Sequence, residues 1–161
     1  MNLDVAKNVS NLIPVFCPDN SQTFFNTIFQ ESYHSKVGAL LEAEYKFAEP
    51  CKNILRNSQN KKIKILDPFF EHSYNTGVAL DLTYKTCKNP HIEIIAIEKD
   101  VEIIKEIKNI QVPEAYIQWK NLLKRFPEED YIEFENIKIN LLIDDIFNLI
   151  SKLEKHSFDI I

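Results

Sequence analysis

The chain has 161 residues, which is enough for one domain with a substantial buried core. Hydrophobic residues make up 45% and charged residues 27%, values near the globular average that argue against an intrinsically disordered chain. The net charge of −5 argues against a generally basic nucleic-acid-binding surface. One basic cluster indicates a solvated face, with nucleic-acid contact as the alternative: Lys52, Arg56, Lys61, Lys62 and Lys64.

Residues 1–60 predict a small β/α extension whose helices pack on the rest of the chain. Apolar segments at 12–15 and 23–25 flank the turn Pro18-Asp19-Asn20-Ser21 and predict two short strands. A helical apolar stripe begins after Ser35, and Pro50 is placed to open a second short helix that runs to Leu55. The stripe consists of Val37, Leu40, Leu41, Tyr45, Phe47 and Ala48.

Residues 61–161 predict a partial Rossmann-like domain in which strands and helices alternate. Such alternation requires a mostly parallel sheet with right-handed crossovers, and we expect the first strand to be central. The expected strands are 63–67, 92–98 and 137–143, and the expected helices are 76–87, 100–108, 115–126 and 145–154. The helix at 115–126 lies inside an insertion that covers 109–136.

The segment Phe158-Asp159-Ile160-Ile161 is typical of the start of a buried central strand. A doubly wound domain normally continues through several more strands. We therefore expect a fragment that holds the N-terminal half of an α/β, Rossmann-like fold, preceded by the small β/α extension.

Cysteine usage and hydropathy predict a cytoplasmic chain. Cys17, Cys51 and Cys87 are odd in number, widely spaced and without a C-x-x-C pair, which is typical of free thiols in a reducing compartment. No apolar run approaches the roughly 18 residues that a membrane-spanning helix needs. The N-terminus also lacks a signal-peptide pattern, so no membrane partner is expected.

Carboxylates follow all three predicted parallel strands, where open α/β sheets bind ligands. Asp67 could orient the following loop or reach the amino group of a cofactor, or it could be a turn or capping residue. Glu98 could accept two hydroxyls of an adenosine ribose, with an exposed strand-end acid as the alternative. Asp144 and Asp145 could lie beside an adenine, cap the next helix, or do both.

The loop between Asp67 and Gly77 lacks the G-x-G-x-x-G pattern of dinucleotide-binding loops. Ser73 or Asn75 could cap the helix that follows while backbone amides face a ligand. Upstream, Tyr33-His34-Ser35 precedes a helix start. No second His or Cys lies at metal-ligand spacing from His34, so the sequence predicts no metal site.

These residues, taken in order, resemble the MnmC-type tRNA wobble-uridine methyltransferases over roughly residues 12–161. The later part of the match is Ile65-Leu66-Asp67, Phe70 and Tyr74-Asn75-Thr76. The earlier part is Asp19-Asn20-Ser21-Gln22-Thr23, Glu31-Ser32-Tyr33-His34-Ser35-Lys36-Val37-Gly38-Ala39, Glu42-Ala43 and Phe47.

The resemblance implies a class I fold that binds S-adenosylmethionine and methylates 5-aminomethyl-2-thiouridine in tRNA to the 5-methylaminomethyl form. It implies that Asp67, Ser73, Tyr74 and Asn75 face the methionine part of the cofactor. Glu98 would hold the ribose and Asp145 would meet the adenine, while Tyr33 and Glu42 would line the roof of the pocket. The catalytic Asp-x-Phe segment of the family follows the strand that begins at Phe158, so the catalytic residue is expected beyond Ile161.

The sequence departs from the family pattern at the expected site. Glu71 and Ser73 replace loop glycines, Asp144 replaces the glycine before Asp145, and Asn20 replaces a turn glycine. The charge and bulk of Glu71 predict weakened cofactor binding. A non-catalytic remnant or a nucleotide-binding module of the same fold is therefore an alternative. A dehydrogenase-like domain is disfavoured because the glycine fingerprint is missing.

Overall fold

A computed structural model describes residues 11–57 and 62–161. Residues 1–10 of the expected extension and Lys61 of the basic cluster lie outside this part of the chain. The described residues form two sheets with helices packed against them. Cys17, Cys51 and Cys87 form no disulfide. No helix in the described ranges is long and apolar enough to cross a membrane.

The first sheet is antiparallel and three-stranded, in the order β1 (Leu12–Phe16), β2 (Gln22–Asn26) and β3 (Glu31–Ser32). The two predicted strands are confirmed, and the turn between them places Asn20 in left-handed backbone with φ 63°. The two-residue β3 was not predicted because it is too short to show an alternating pattern.

A continuous helical stretch follows, and it begins later than predicted. Ser21 Oγ accepts hydrogen bonds from the N–H groups of Ala39 and Leu40 at 3.0 and 3.3 Å, so the β1–β2 turn caps the first helix. Gly38 leaves room for Asp19 there, because a Cβ atom would lie 2.6 Å from Asp19 Oδ2. The stretch consists of α1 (Ala39–Ala43), a π turn (Glu44–Ala48), a 3₁₀ turn (Glu49–Cys51) and α2 (Lys52–Asn57).

The predicted apolar stripe of this segment is only partly correct. Leu40 and Ala48 are buried as expected, together with Ala39 and Ala43. Four stripe residues are exposed instead: Val37, Leu41, Tyr45 and Phe47. A π turn departs from the 3.6-residue period on which the prediction rested.

The second sheet confirms a mostly parallel α/β arrangement. β4 (Lys62–Asp67), β5 (His91–Glu98) and β7 (Ile137–Ile143) are parallel, and β6 (Tyr131–Phe134) pairs antiparallel with β7. The order is β4-β5-β7-β6, so the prediction that the first parallel strand is central among the three is wrong. Ile160 forms a single parallel bridge with Ile65, on the edge of β4 that β5 leaves free. The short β6 was not predicted.

The predicted helices of this region are present; α3 begins two residues earlier than predicted and is one residue longer, whereas the other three are shorter. They are α3 (Tyr74–Thr86), α4 (Val101–Lys105) with a 3₁₀ turn (Glu106–Lys108), α5 (Ile117–Leu123) after a 3₁₀ turn (Glu114–Tyr116), and α6 (Ile146–Leu149) with a 3₁₀ turn (Ile150–Lys152). α3 packs tightly against Tyr116, since a Cβ atom on Gly77 would lie 1.8 Å from the tyrosine hydroxyl oxygen. This packing fixes the helix that follows the candidate loop.

Candidate functional site

The loop between β4 and α3 keeps a tight turn without glycine. Glu71 and Ser73 both adopt left-handed backbone, with φ 50° and 81°, a conformation that is rare for residues with a side chain. The N–H of Phe70 donates to Ile97 O at 2.9 Å, which ties the loop to β5. Ser73 occupies the N-cap position of α3, but its side chain makes no capping bond. Cap residues that use their side chains normally have β-region backbone, which Ser73 does not.

Glu98, at the end of β5, is held by three backbone amides. Its Oε2 accepts from the N–H of Glu71 at 2.9 Å, and its Oε1 accepts from Lys99 and Asp100 at 2.9 and 2.8 Å. Burial raises the pKa of Glu98, while the amides favour the charged form and oppose that rise. A carboxylate has about four lone-pair sites, so one remains for a further donor.

Asp67, at the end of β4, organises the turn that follows it. Its Oδ2 accepts from the hydroxyl of Thr76 at 2.7 Å, and its Oδ1 lies 3.4 Å from the N–H of Phe69. Burial raises the pKa of Asp67 to about 7, against the opposing effect of the Thr76 bond. These contacts match the turn-residue alternative and leave the carboxylate beside the cavity described next.

A cavity of about 340 Å³ lies between this loop and the helical stretch 39–57. Its polar wall is formed by Tyr33, His34, Glu42, Asp67, Glu71, Asn75 and Thr76. Asn75 Oδ1 is buried and has no hydrogen-bond partner among the described residues. The cavity therefore combines an apolar side with polar atoms that a small ligand could satisfy.

A second, smaller cavity of about 70 Å³ is lined by Glu98 and Asp145. Asp145 caps α6 by accepting from the N–H of Phe147 at 3.0 Å, and Lys99 Nζ lies 3.4 Å from its other oxygen. Asp144 accepts instead from the N–H of Asp145, at 2.7 Å. Pro68 and Phe69 line both cavities, so the two spaces adjoin at the start of the loop.

The two tyrosines that sequence analysis singled out lie in different environments. The Tyr33 hydroxyl donates to Asp100 Oδ2 at 2.6 Å on the cavity wall, and burial together with this bond raises the pKa of Tyr33. Tyr74 is fully buried, and its hydroxyl donates to Gln22 O at 3.0 Å. Tyr74 thus lies in the core, where its hydroxyl group links α3 to β2 through this hydrogen bond.

A histidine–glutamate cluster, formed by His34, Glu71 and His72, lies at the loop end of the larger cavity. His34 Nδ1 is 3.3 Å from Glu42 Oε2, and His34 Nε2 is 2.9 Å from Glu71 Oε2. Burial by itself lowers the pKa of His34, but Glu71 and Glu42 outweigh it and the pKa lies above its ordinary value. Glu42 also accepts from the N–H of Ser35 at 2.6 Å and from Lys46 Nζ at 2.5 Å.

His72 is the residue that sequence analysis missed. It is fully buried, and neither ring nitrogen makes a well-formed hydrogen bond to the described residues, although the backbone of Gln22 interacts with the ring. Burial, and then the charge on His34, hold its pKa well below the ordinary value, against the opposing effect of the Gln22 backbone. Four rings meet it edge-on: Phe24, Tyr33, His34 and Tyr74. The prediction of no metal site rested on sequence spacing, and the 38 positions from His34 to His72 hide their proximity.

The crystal structure of MnmC2 from Aquifex aeolicus matches this fold with a TM-score of 0.76. The match is 28% identical in sequence and covers 94% of this chain and 48% of the other. This chain is MnmC-like. The MnmC-like chain is also 32% identical over 128 residues to an uncharacterized protein of Methanocaldococcus jannaschii, a match that covers 78% of this chain and 34% of the relative. It spans about half the length of the MnmC2 structure and about a third of the archaeal relative. No protein-family model matches it.

The MnmC-like chain keeps left-handed backbone at three positions where the family resemblance implies glycine. These are Asn20, Glu71 and Ser73. Asn adopts this conformation readily, whereas Glu does so rarely. Glu71 thus adopts a backbone conformation that its side chain disfavours, and that side chain forms part of the cavity wall.

Proposed function

We propose that the protein is the cofactor-binding part of a Rossmann-like class I methyltransferase that uses S-adenosylmethionine. The observation that carries the proposal is the loop between β4 and α3, which keeps its left-handed turns at Glu71 and Ser73 and bonds to Glu98 on the next strand. The MnmC-like fold supports the same assignment. When bound, the cofactor supplies an electrophilic methyl group.

The residues of the site fit this cofactor, with one conflict. Asn75 Oδ1 is buried and unpartnered on the cavity wall, which suits the ammonium group of a methionine moiety. The free lone pair of Glu98 can accept one ribose hydroxyl, and Asp145 lines the same small cavity as Glu98. Glu71 opposes the carboxylate of the ligand, so we expect binding to be weak.

The proposed substrate is tRNA that carries 5-aminomethyl-2-thiouridine, by the MnmC resemblance. The proposed product is the 5-methylaminomethyl form. In such a reaction the protein aligns the amine nitrogen with the methyl group, and positioning supplies most of the rate enhancement. Transfer of a radiolabelled methyl group to undermodified tRNA tests this step separately from cofactor binding.

Calorimetric titration with S-adenosylmethionine tests the cofactor assignment. We expect a dissociation constant on the order of 100 µM or weaker, and about tenfold tighter binding by Glu71→Gly, because a carboxylate is removed from a left-handed position. Glu44→Gln is the matched control, since Glu44 lies on the helical stretch and does not line the cavity. Tight binding by the unmodified chain would contradict the role given to Glu71, and no binding by Glu71→Gly would contradict the cofactor site.

The second candidate is a module of the same fold that binds a nucleotide without methyl transfer. Glu71 crowds the loop, which favours this second candidate. Nucleotide binding tolerates a misaligned ligand, whereas methyl transfer does not. A competition experiment that compares the affinities of the protein for S-adenosylhomocysteine and for ATP distinguishes the two candidates. Preference for S-adenosylhomocysteine supports the methyltransferase, and preference for ATP supports the nucleotide module.

A further inference from the structure

We propose that His34, Glu71 and His72 bind a divalent transition-metal ion, with Zn²⁺ as the preferred metal. Their candidate ligand atoms, two imidazole nitrogens and one carboxylate oxygen, all lie within 4.8 Å of one another. Metal bonds of about 2.0–2.2 Å bring ligand atoms to roughly 3.3–3.5 Å apart, so a small side-chain adjustment completes the set. The inference goes beyond the proposed function, and its test needs neither cofactor nor tRNA.

The unpartnered nitrogens of His72 are the strongest evidence for a ligand. A buried imidazole whose nitrogens make no well-formed hydrogen bond is costly, and the backbone of Gln22, which already accepts from the Tyr74 hydroxyl, compensates that cost only in part. The ring packs against Phe24, Tyr33 and Tyr74, none of which hydrogen-bonds to it. An ion between His72 and Glu71 would give a ring nitrogen of His72 a ligand bond and would share the carboxylate oxygen that now faces His34 Nε2.

His34 already has the outer partner that metal-binding histidines use. Its Nδ1 faces Glu42 Oε2 at 3.3 Å, which leaves Nε2 directed toward Glu71. A carboxylate behind a ligating imidazole fixes the ring orientation and its tautomer. Glu42 is itself held by the N–H of Ser35 and by Lys46.

Glu71 is held in an unfavourable backbone conformation that keeps its side chain at this site. Its φ of 50° is anchored by the bond from its N–H to Glu98. Residues that retain such strain are concentrated at functional sites. A simple His34–Glu71 ion pair would account for two members of the cluster but leaves His72 unpartnered.

Two histidines and one carboxylate select a transition metal rather than Mg²⁺ or Ca²⁺, which prefer oxygen ligands. The set supplies three protein ligands and leaves a fourth position for water, as in many zinc sites. His34 and Glu71 line the 340 Å³ cavity, so water has access to the ion.

The direct test is calorimetric titration of chelator-treated protein with ZnSO₄. We expect one ion per chain with a dissociation constant on the order of 1 µM or tighter, and no saturable binding of Mg²⁺. At about a hundredfold excess over the dissociation constant, Zn²⁺ should raise the melting temperature by roughly 5 °C or more. Absence of saturable Zn²⁺ binding would overturn the proposal.

Variants locate the ion. Glu71→Gln and His72→Phe should each weaken Zn²⁺ binding at least tenfold, whereas His91→Gln is the matched control because His91 is an exposed histidine at the start of β5. Glu42→Gln should weaken binding by about tenfold to a hundredfold with the stoichiometry unchanged. Equal affinities for His72→Phe and His91→Gln would show that Zn²⁺ binds elsewhere and refute the site.

Co²⁺ substitution tests the metal site in the wild-type protein, so its result does not depend on whether a variant folds. The wild-type protein should give the intense visible bands of low-coordinate Co²⁺ with nitrogen ligands. These bands should disappear when one equivalent of Zn²⁺ displaces the Co²⁺. The weak spectrum of hexaaqua Co²⁺ in the folded wild-type protein would contradict the assignment. The melting curve of metal-free His72→Phe identifies whether that variant is folded before its affinity is compared.

Discussion

Two regions that meet at the loop between β4 and α3 differ in how their buried polar atoms are hydrogen-bonded. At the end of β5, the carboxylate of Glu98 is surrounded by three backbone N–H donors. Beside it, in the histidine–glutamate cluster, neither ring nitrogen of His72 makes a well-formed hydrogen bond to the described residues. Glu71 belongs to both parts, since its N–H binds Glu98 while its side chain faces His34.

The hydrogen bonds around Glu98 stabilise the fold, whereas the buried polar atoms of His72 destabilise it. Backbone donors around Glu98 are satisfied within the chain and hold the loop against β5. In the cluster, no well-formed hydrogen bond compensates the desolvation of His72, so His72 lowers the stability of the metal-free protein. Substitutions in the two parts should therefore change stability with opposite signs.

The largest effect is expected for Glu98→Ala. Removal of the carboxylate leaves three amide N–H groups without their acceptor, and we expect a loss of about 3 kcal/mol in the free energy of unfolding. Urea denaturation measures it. Glu93→Ala, on the same strand and paired with exposed Lys62, is the control and should change stability by less than about 1 kcal/mol. Equal losses for the two variants would remove the distinction drawn for Glu98.

An intermediate effect is expected from the pH dependence that Asp67 contributes. Its pKa of about 7 in the folded protein lies above the value of about 3.9 in an unfolded chain. The folded state therefore binds the extra proton, and this contribution is fully present below about pH 4 and is lost as the pH rises through 7. The loss should amount to about 2 kcal/mol between pH 4 and 8, after allowance for relaxation around the charge.

Asp67→Asn should remove that fall, as seen in the difference between the wild-type and variant curves of unfolding free energy against pH. Thr76→Val removes the hydroxyl that stabilises the charged carboxylate, so it should steepen the fall. Parallel curves for wild type and Asp67→Asn would show that Asp67 titrates at the same pH in both states.

The smallest effect, and the one of opposite sign, is expected for His72→Phe in metal-free protein. A phenyl ring suits the aromatic surroundings and has no polar atoms to desolvate, so we expect a gain of about 1 kcal/mol. Chemical denaturation in the presence of a chelator measures it. A loss of more than about 2 kcal/mol would mean that His72 already has compensating interactions, and it would remove the contrast with Glu98.

Sequence patterns were sufficient for the elements whose burial follows a local period. The apolar strands at 63–67, 92–98 and 137–143 were located within a residue of β4, β5 and β7. The helical segment after Ser35 was located less well, because its start depends on capping by Ser21 and its interior contains a π turn. Ser21 lies 18 positions before Ala39, so this capping contact leaves no pattern in a short window of sequence.

The sequence by itself determined the α/β alternation, the carboxylates at the strand ends and the departure from glycine at Glu71 and Ser73. Only the tertiary structure decided that these two residues adopt left-handed backbone and that β5 lies between β4 and β7. It also decided that His34 and His72 meet around Glu71. Local propensity acts over a few residues, whereas the approach of two histidines 38 positions apart depends on how the N-terminal sheet packs against the loop.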